Sequence, residues 1–221
     1  MRLFSYDSPI IRALSQIFDL IVLNLLFIVC SLPIVTAGAS LTAMIRVVQS
    51  MVYQTDTGVI RPFFRAFREN FKAVTPIWLL FVLVAVSLVC DAMLVNMLGG
   101  AQWWYTIIIV VGLVVLSVKI YLFPMMARYE NALGKQVKNA LILALAHLPS
   151  TICMLIMELL PVLLFMLKAS YAHYLLILWP LLGFSSMAYL QSATYLRKIF
   201  AKVEPAEDEA KEEEMTDPSC T

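Results

Sequence analysis

Five long stretches of this chain hold no charged residue: 20–45, 73–90, 92–118, 139–157 and 169–196. Each is near or above the roughly 20 apolar residues that cross a bilayer as a helix. A soluble protein can bury one such run. It cannot bury five, because 62% of the 221 residues are hydrophobic and only 14% are charged, which leaves too little polar surface to cover the remainder in water. The expected fold is an all-α, polytopic membrane helical bundle. A cleaved secretion signal does not explain the first run: it starts late, after "MRLFSYDSPIIRALSQIFD", exceeds the usual signal core, and shows no clear cleavage site before the next apolar segment.

Dividing the runs at turn signals predicts about six transmembrane helices, over 16–35, 38–54, 73–96, 103–126, 139–164 and 171–196. The first two meet tightly around Pro33 and Gly38, since proline disfavours helical geometry in the residue before it and glycine tolerates a turn. They are either antiparallel neighbours or one helix with a broken middle. Orientation follows from lysine and arginine. Arg2 and Arg12 precede the first helix, Arg61, Arg65, Arg68 and Lys72 follow the second, Arg128, Lys135 and Lys138 separate the fourth and fifth, and Arg197, Lys198 and Lys202 follow the sixth. The alternate connections hold only Lys168. The positive-inside bias puts both termini and the basic loops in the cytoplasm. Trp103, Trp104, Tyr105, Tyr171 and Tyr174 fall at the opposite edge, as rings at headgroup depth do.

Between the second and third helices, "IRPFFRAFRENFK" repeats phenylalanine at helical spacing. Phe63, Phe64, Phe67 and Phe71 alternate with Arg61, Arg65, Arg68 and Lys72, which predicts a short amphipathic helix lying in the interface against anionic headgroups. Docking of its rings onto a partner is the alternative. The basic residues give no reason to expect nucleic acid, because orientation already requires them. The last residues differ in kind: 204–221 hold eight acidic residues and one lysine, so a net charge of +1 for the whole chain conceals +8 over residues 1–203. Residues 1–203 are read as the integral membrane domain and 204–221 as an acidic, disordered cytoplasmic tail.

Ionisable and amide groups at membrane depth are the candidate binding residues, because they are costly there. Asp91 and Glu158 fall toward the outer halves of their helices, where the two carboxylates would bind a hydroxyl network, a cation or a proton, or else reach the aqueous edge. Lys119 is expected to snorkel to the cytoplasmic headgroups rather than pair with a carboxylate. Asn24 needs a partner within an apolar neighbourhood, most simply another helix. The small residues from Thr36 to Thr42 permit close packing, while the break at Pro33 could instead expose backbone to a ligand. Cys30, Cys90, Cys153 and Cys220 are far apart with no CxxC, His147 and His173 do not cluster, and no HExxH, GxSxG, phosphate loop or dinucleotide fingerprint is present. No metal, cofactor or catalytic residue is expected, and an enzyme is not. No internal repeat supports a three-plus-three transporter.

Phe18, Asp19, Asn24, Leu25, the block "CSLPIVTAGA" from Cys30 to Ala39, Thr42 and Ala43, and then Phe63, Phe64, Phe67, Asn70 and Phe71 resemble the YesL-like family of small bacterial integral membrane proteins. The resemblance covers about residues 4–80 in motif and the full chain in hydropathy. It implies a multi-pass protein of the bacterial cytoplasmic membrane without an established activity. Its members' common association with ABC-type importers and oligosaccharide enzymes implies an accessory role in carbohydrate uptake, with importer permease subunits and membrane lipids as partners. The alternative is an intrinsic secondary transporter or channel for a small solute or ion, with Asn24, Asp91 and Glu158 facing the pore.

Overall fold

The computed structural model of the protein describes residues 9–53, 55, 58–129, 133–166 and 179–201. The described residues form α1 (Pro9–Ser31), a single 3₁₀ turn at Ile34–Thr36, α2 (Ala37–Tyr53), α3 (Ile60–Met97), α4 (Gln102–Arg128), α5 (Leu133–Ala146), α6 (Leu148–Met166) and α7 (Phe184–Gln191). Wider π-helical turns at Trp179–Gly183 and Ser192–Leu196 flank α7. Among the described residues four helices are long and apolar enough to cross a membrane, or five if the bent pair α5 and α6 is one span. This is a multi-pass, all-helical membrane protein. The acidic tail and most of the predicted turn before the sixth helix lie outside the described residues.

Pro33 ends α1, and the chain reverses into α2. Ser40 Oγ donates to the Phe27 carbonyl at 3.0 Å, while further along α2 Met44, Val47 and Val48 pack with Leu23, so the two helices are antiparallel neighbours. The break leaves carbonyls without helical partners, and nearby side chains satisfy them. Thr36 Oγ1 contacts the carbonyls of Cys30 and Pro33 at 2.7 and 2.8 Å, and Trp78 Nε1 donates to that of Ile34 at 2.7 Å. Backbone freed at Pro33 is thus spent on the fold.

Gly38 lets α3 approach. A Cβ built there would stand 2.4 Å from Trp78 Cβ and 2.6 Å from Cγ, atoms too near the α3 backbone to move aside cheaply. Gly38→Ala is expected to destabilise the protein by about 1–3 kcal/mol through overpacking. The check is its unfolding free energy in detergent micelles, and an unchanged value would mean that α2 and α3 are not held at this spacing.

Two boundaries differ from expectation. The amphipathic segment is not a separate interfacial helix: residues 61–72 are the first turns of α3, which runs without interruption for 38 residues. Nothing between Pro62 and Pro76 stops a helix, and Pro76 is accommodated within it. At 1.5 Å per residue α3 is about 57 Å long, so it crosses the roughly 30 Å hydrocarbon core and extends well beyond its basic end. The predicted helix 139–164 is instead two, α5 and α6, bent by 100° at His147. Pro149 explains the bend. It disfavours helical geometry at Leu148, yet fits the first turn of α6, where no donor is missed.

The packed body gathers at the basic half. One core joins Ile45, Val74, Ile120 to Ala127 of α4, Ala140 and Leu143 of α5, Met154 of α6, and Leu196, Ile199 and Phe200 after α7. A second joins Leu23, Met44, Val47, Val48, Phe63 and Ala66 from α1, α2 and α3. From Thr75 to Lys119, by contrast, no residue is buried. The rest of α3 and the first two thirds of α4 form a hairpin that meets the core only at its basic end, where Ile77, Trp78, Phe81, Leu116 and Val118 pack half-buried against it.

Candidate functional site

The charged groups at membrane depth meet on α4 and α6. Lys119 Nζ lies 2.6 Å from Glu158 Oε1, and Gln191 Nε2 at the end of α7 donates to Glu158 Oε2 at 3.3 Å. Both carboxylate oxygens are therefore occupied. The bend at His147 causes this meeting. On one straight helix from residue 139, Glu158 would stand about 28 Å along, near the far membrane face; counted from Leu148 it stands about 15 Å along. Lys119 is about 14 Å from the end of α4 at Arg128, farther than its side chain reaches. It pairs rather than snorkels, which corrects the sequence expectation.

Beside the pair lies a cavity of about 650 Å³ between α2, α4, α6 and α7. Its walls are chiefly Leu, Ile, Met, Phe and Pro side chains, with Lys119, Glu158, Gln191 and Ser192 as the polar groups. Leu159, Val162 and Phe184 line it and are also partly exposed on the outside of the protein. The second π turn starts at Ser192, and such turns insert a residue and rotate the side chains that follow. Gln191 and Ser192 were missed by sequence reasoning. They sit in an uncharged run, and only the packing of α7 reveals their direction.

A second space of about 870 Å³ separates α3 from α4 within the hairpin, lined by Trp78, Phe81, Ala85, Ala92, Tyr105 and Gly112 among others. Lys119 borders both spaces. Its position on the wall between them would have been legible from the sequence only if the partner helices had been known.

The remaining candidates are dispersed. Asn24 is fully buried and faces the first π turn: its Nδ2 donates to the Trp179 carbonyl at 3.2 Å and its Oδ1 accepts from the Ser185 amide at 3.3 Å. Ser185 Oγ adds a bond to the Leu20 carbonyl at 2.8 Å. The amide thus supplies partners to backbone that the wider turn displaces. Asp91 is exposed on α3 and borders neither space, so it forms no carboxylate pair with Glu158.

The phenylalanine series divides in two. Phe63 is fully buried in the second core, which corrects its assignment to a docking or lipid-facing surface; Phe67 packs half-buried beside it and Phe71 is half-buried. The rings form a ladder, with Phe63 and Phe67 at 6.4 Å and Phe67 and Phe71 at 5.7 Å. Arg61, Phe64, Arg65 and Arg68 point away, and Arg65 pairs with Glu69 at 2.9 Å. Sequence spacing revealed the helix but not which ring faces inward, because four phenylalanines over nine residues cover more than one face. Among the described residues no group of three or more His, Cys, Asp or Glu could hold a metal ion.

Residues 20–92, from the middle of α1 through most of α3, match the family model described as "Protein of unknown function, DUF624". This is the YesL-like family that the sequence block resembles. No curated protein and no solved structure gives a significant match.

Proposed function

We propose, for a multi-pass membrane chain whose residues 20–92 carry the DUF624 segment, an accessory subunit that stabilises or regulates an ABC-type carbohydrate importer of the bacterial cytoplasmic membrane. The observation that carries this reading is the uncovered hairpin: a span's length of α3 and α4 with no buried residue from Thr75 to Lys119. Helices associate in lipid by close packing at small residues rather than by hydrophobicity. The groove between α3 and α4 offers Ala85, Ala92 and Gly112 for that purpose, and a permease helix is its proposed occupant. The work done is binding and conformational bias, with both termini on the cytoplasmic side.

The expected result is near-stoichiometric recovery of importer permease subunits when the tagged protein is purified at native level in nanodiscs. Gly112→Phe, which fills the groove from the α4 side, should reduce that recovery by about tenfold, the effect of roughly 1.4 kcal/mol. Recovery of the protein alone, or recovery indifferent to Gly112→Phe, would overturn the reading.

The Lys119, Glu158 and Gln191 cluster favours a second reading, intrinsic transport of a small solute or ion. Solute-dependent flux in proteoliposomes containing this protein alone would support it. The apolar walls weigh against a sugar, whose hydroxyls would be left without partners there.

A further inference from the structure

The basic end of the molecule gathers cations where the described chain stops. Arg128, at the end of α4, holds its guanidinium 4.5 Å from the centre of the Tyr53 ring and 5.8 Å from that of Phe200, and Arg197 stands 6.0 Å from the same Tyr53 ring. Arg46 of α2 adds a third cation, its Nη1 donating to the Ala127 carbonyl at 2.5 Å. Lys135 and Lys138 edge this patch. They flank Gln136, whose Nε2 donates to the Tyr129 carbonyl at 2.7 Å, and the Tyr129 ring meets Phe200 at 6.1 Å. Arg46, Lys135, Lys138 and Arg197 are exposed. One ring can hold two arginines, yet their like charges repel, so the patch favours an anion. Glu69 and Glu158 do not supply it, being engaged by Arg65 and Lys119.

The counter-charge is on the chain itself. Eight of its 15 acidic residues lie within 204–217. Phe200 is buried in the core and roots that segment beside Arg128. Glu204 follows four residues later, and an extended chain spans about 3.5 Å per residue, so Glu204, Glu207 and Asp208 reach Arg128 and Arg197, and the later carboxylates reach the rest of the patch. From this we propose that residues 204–217 dock in cis on the patch of Arg46, Arg128 and Arg197, their carboxylates accepting charge-assisted hydrogen bonds from the guanidinium groups and closing the face to other anions. A headgroup phosphate offers the same bonds, but the carboxylates are tethered at the patch, which gives them an effective concentration of about millimolar order. The docking does not depend on whether the protein accompanies an importer.

The test treats the full chain in nanodiscs with a water-soluble carbodiimide, which joins a lysine amine to a carboxylate in direct contact, and maps the joined peptides by mass spectrometry. Links from Lys135 or Lys138 to residues 204–217 are expected in phosphatidylcholine and in phosphatidylglycerol nanodiscs alike, with most of the yield lost at about 0.5 M salt. The double variant Arg46→Gln with Arg197→Gln should lower the yield about threefold, the worth of exposed ion pairs. The wild-type map decides the matter even where the variant fails to fold. Links confined to Lys198 and Lys202, the tail's neighbours in sequence, would overturn the proposal, and so would a yield indifferent to the double variant. When ¹⁵N-labelled and unlabelled protein are reconstituted together, links within one isotope are expected; mixed pairs would hand the patch to the tail of a second copy and overturn docking in cis. Links lost in phosphatidylglycerol alone would hand it to anionic headgroups and overturn the proposal as well.

Discussion

Lys119→Met is expected to destabilise the protein by about 3–5 kcal/mol, the effect of removing one partner from an ion pair that is shielded from water. The loss comes from the carboxylate left behind in apolar surroundings, where a lone charge is costly, more than from the 2.6 Å attraction itself. Gln191 alone, at 3.3 Å, cannot balance that charge. Glu158→Gln should have a similar effect by stranding the ammonium. The double variant Lys119→Met with Glu158→Gln should be the informative one. It removes both charges, keeps a group able to bond Gln191, and is expected to recover most of the loss. Unfolding free energies of the four proteins in the same bilayer mimic give the coupling directly. Additive single effects would mean that the two side chains do not depend on each other.

Phe63→Ala should cost about 3–5 kcal/mol, the usual range for truncating a buried phenylalanine. Its neighbour sets the control. Phe64 is 43% exposed and touches Phe63 ring edge to face at 5.6 Å, so Phe64→Ala should lose only the aromatic contact, about 1 kcal/mol or less. The physical difference is location: Phe63 fills space among Leu23, Val47, Val48 and Val59, and its removal leaves a void between α1, α2 and α3. Equal effects of the two substitutions would remove Phe63 from the core. Any test of partner docking at this segment should therefore use Phe64, Arg61 and Arg68, because loss of Phe63 would disturb the fold first.

The sequence foretold the apolar helices and many of their ends. The predicted 103–126 is α4 at Gln102–Arg128, and the predicted 38–54 is α2 at Ala37–Tyr53. It also carries the signals for the two boundaries that differ. Pro149 marked the bend between α5 and α6, whereas the absence of any breaker between Pro62 and Pro76 marked α3 as one long helix. Glu158 and Lys119 were legible as unusual charges, yet their pairing depends on the bend, which changes how far Glu158 travels across the membrane.

Composition alone determined that this chain is a multi-pass helical membrane protein, because charge-free runs of bilayer length have no other stable environment and their backbone can satisfy itself only as helix. Only the tertiary structure decided which polar side chains share a site. Hydropathy records how apolar a helix is and nothing of its rotation, so it could not say that Asn24 turns to the Trp179 backbone or that Phe63 turns inward. Nor could it say that Gln191 turns to the Glu158 carboxylate. Those directions are set by contacts between residues far apart in the chain, and they exist once the helices have packed.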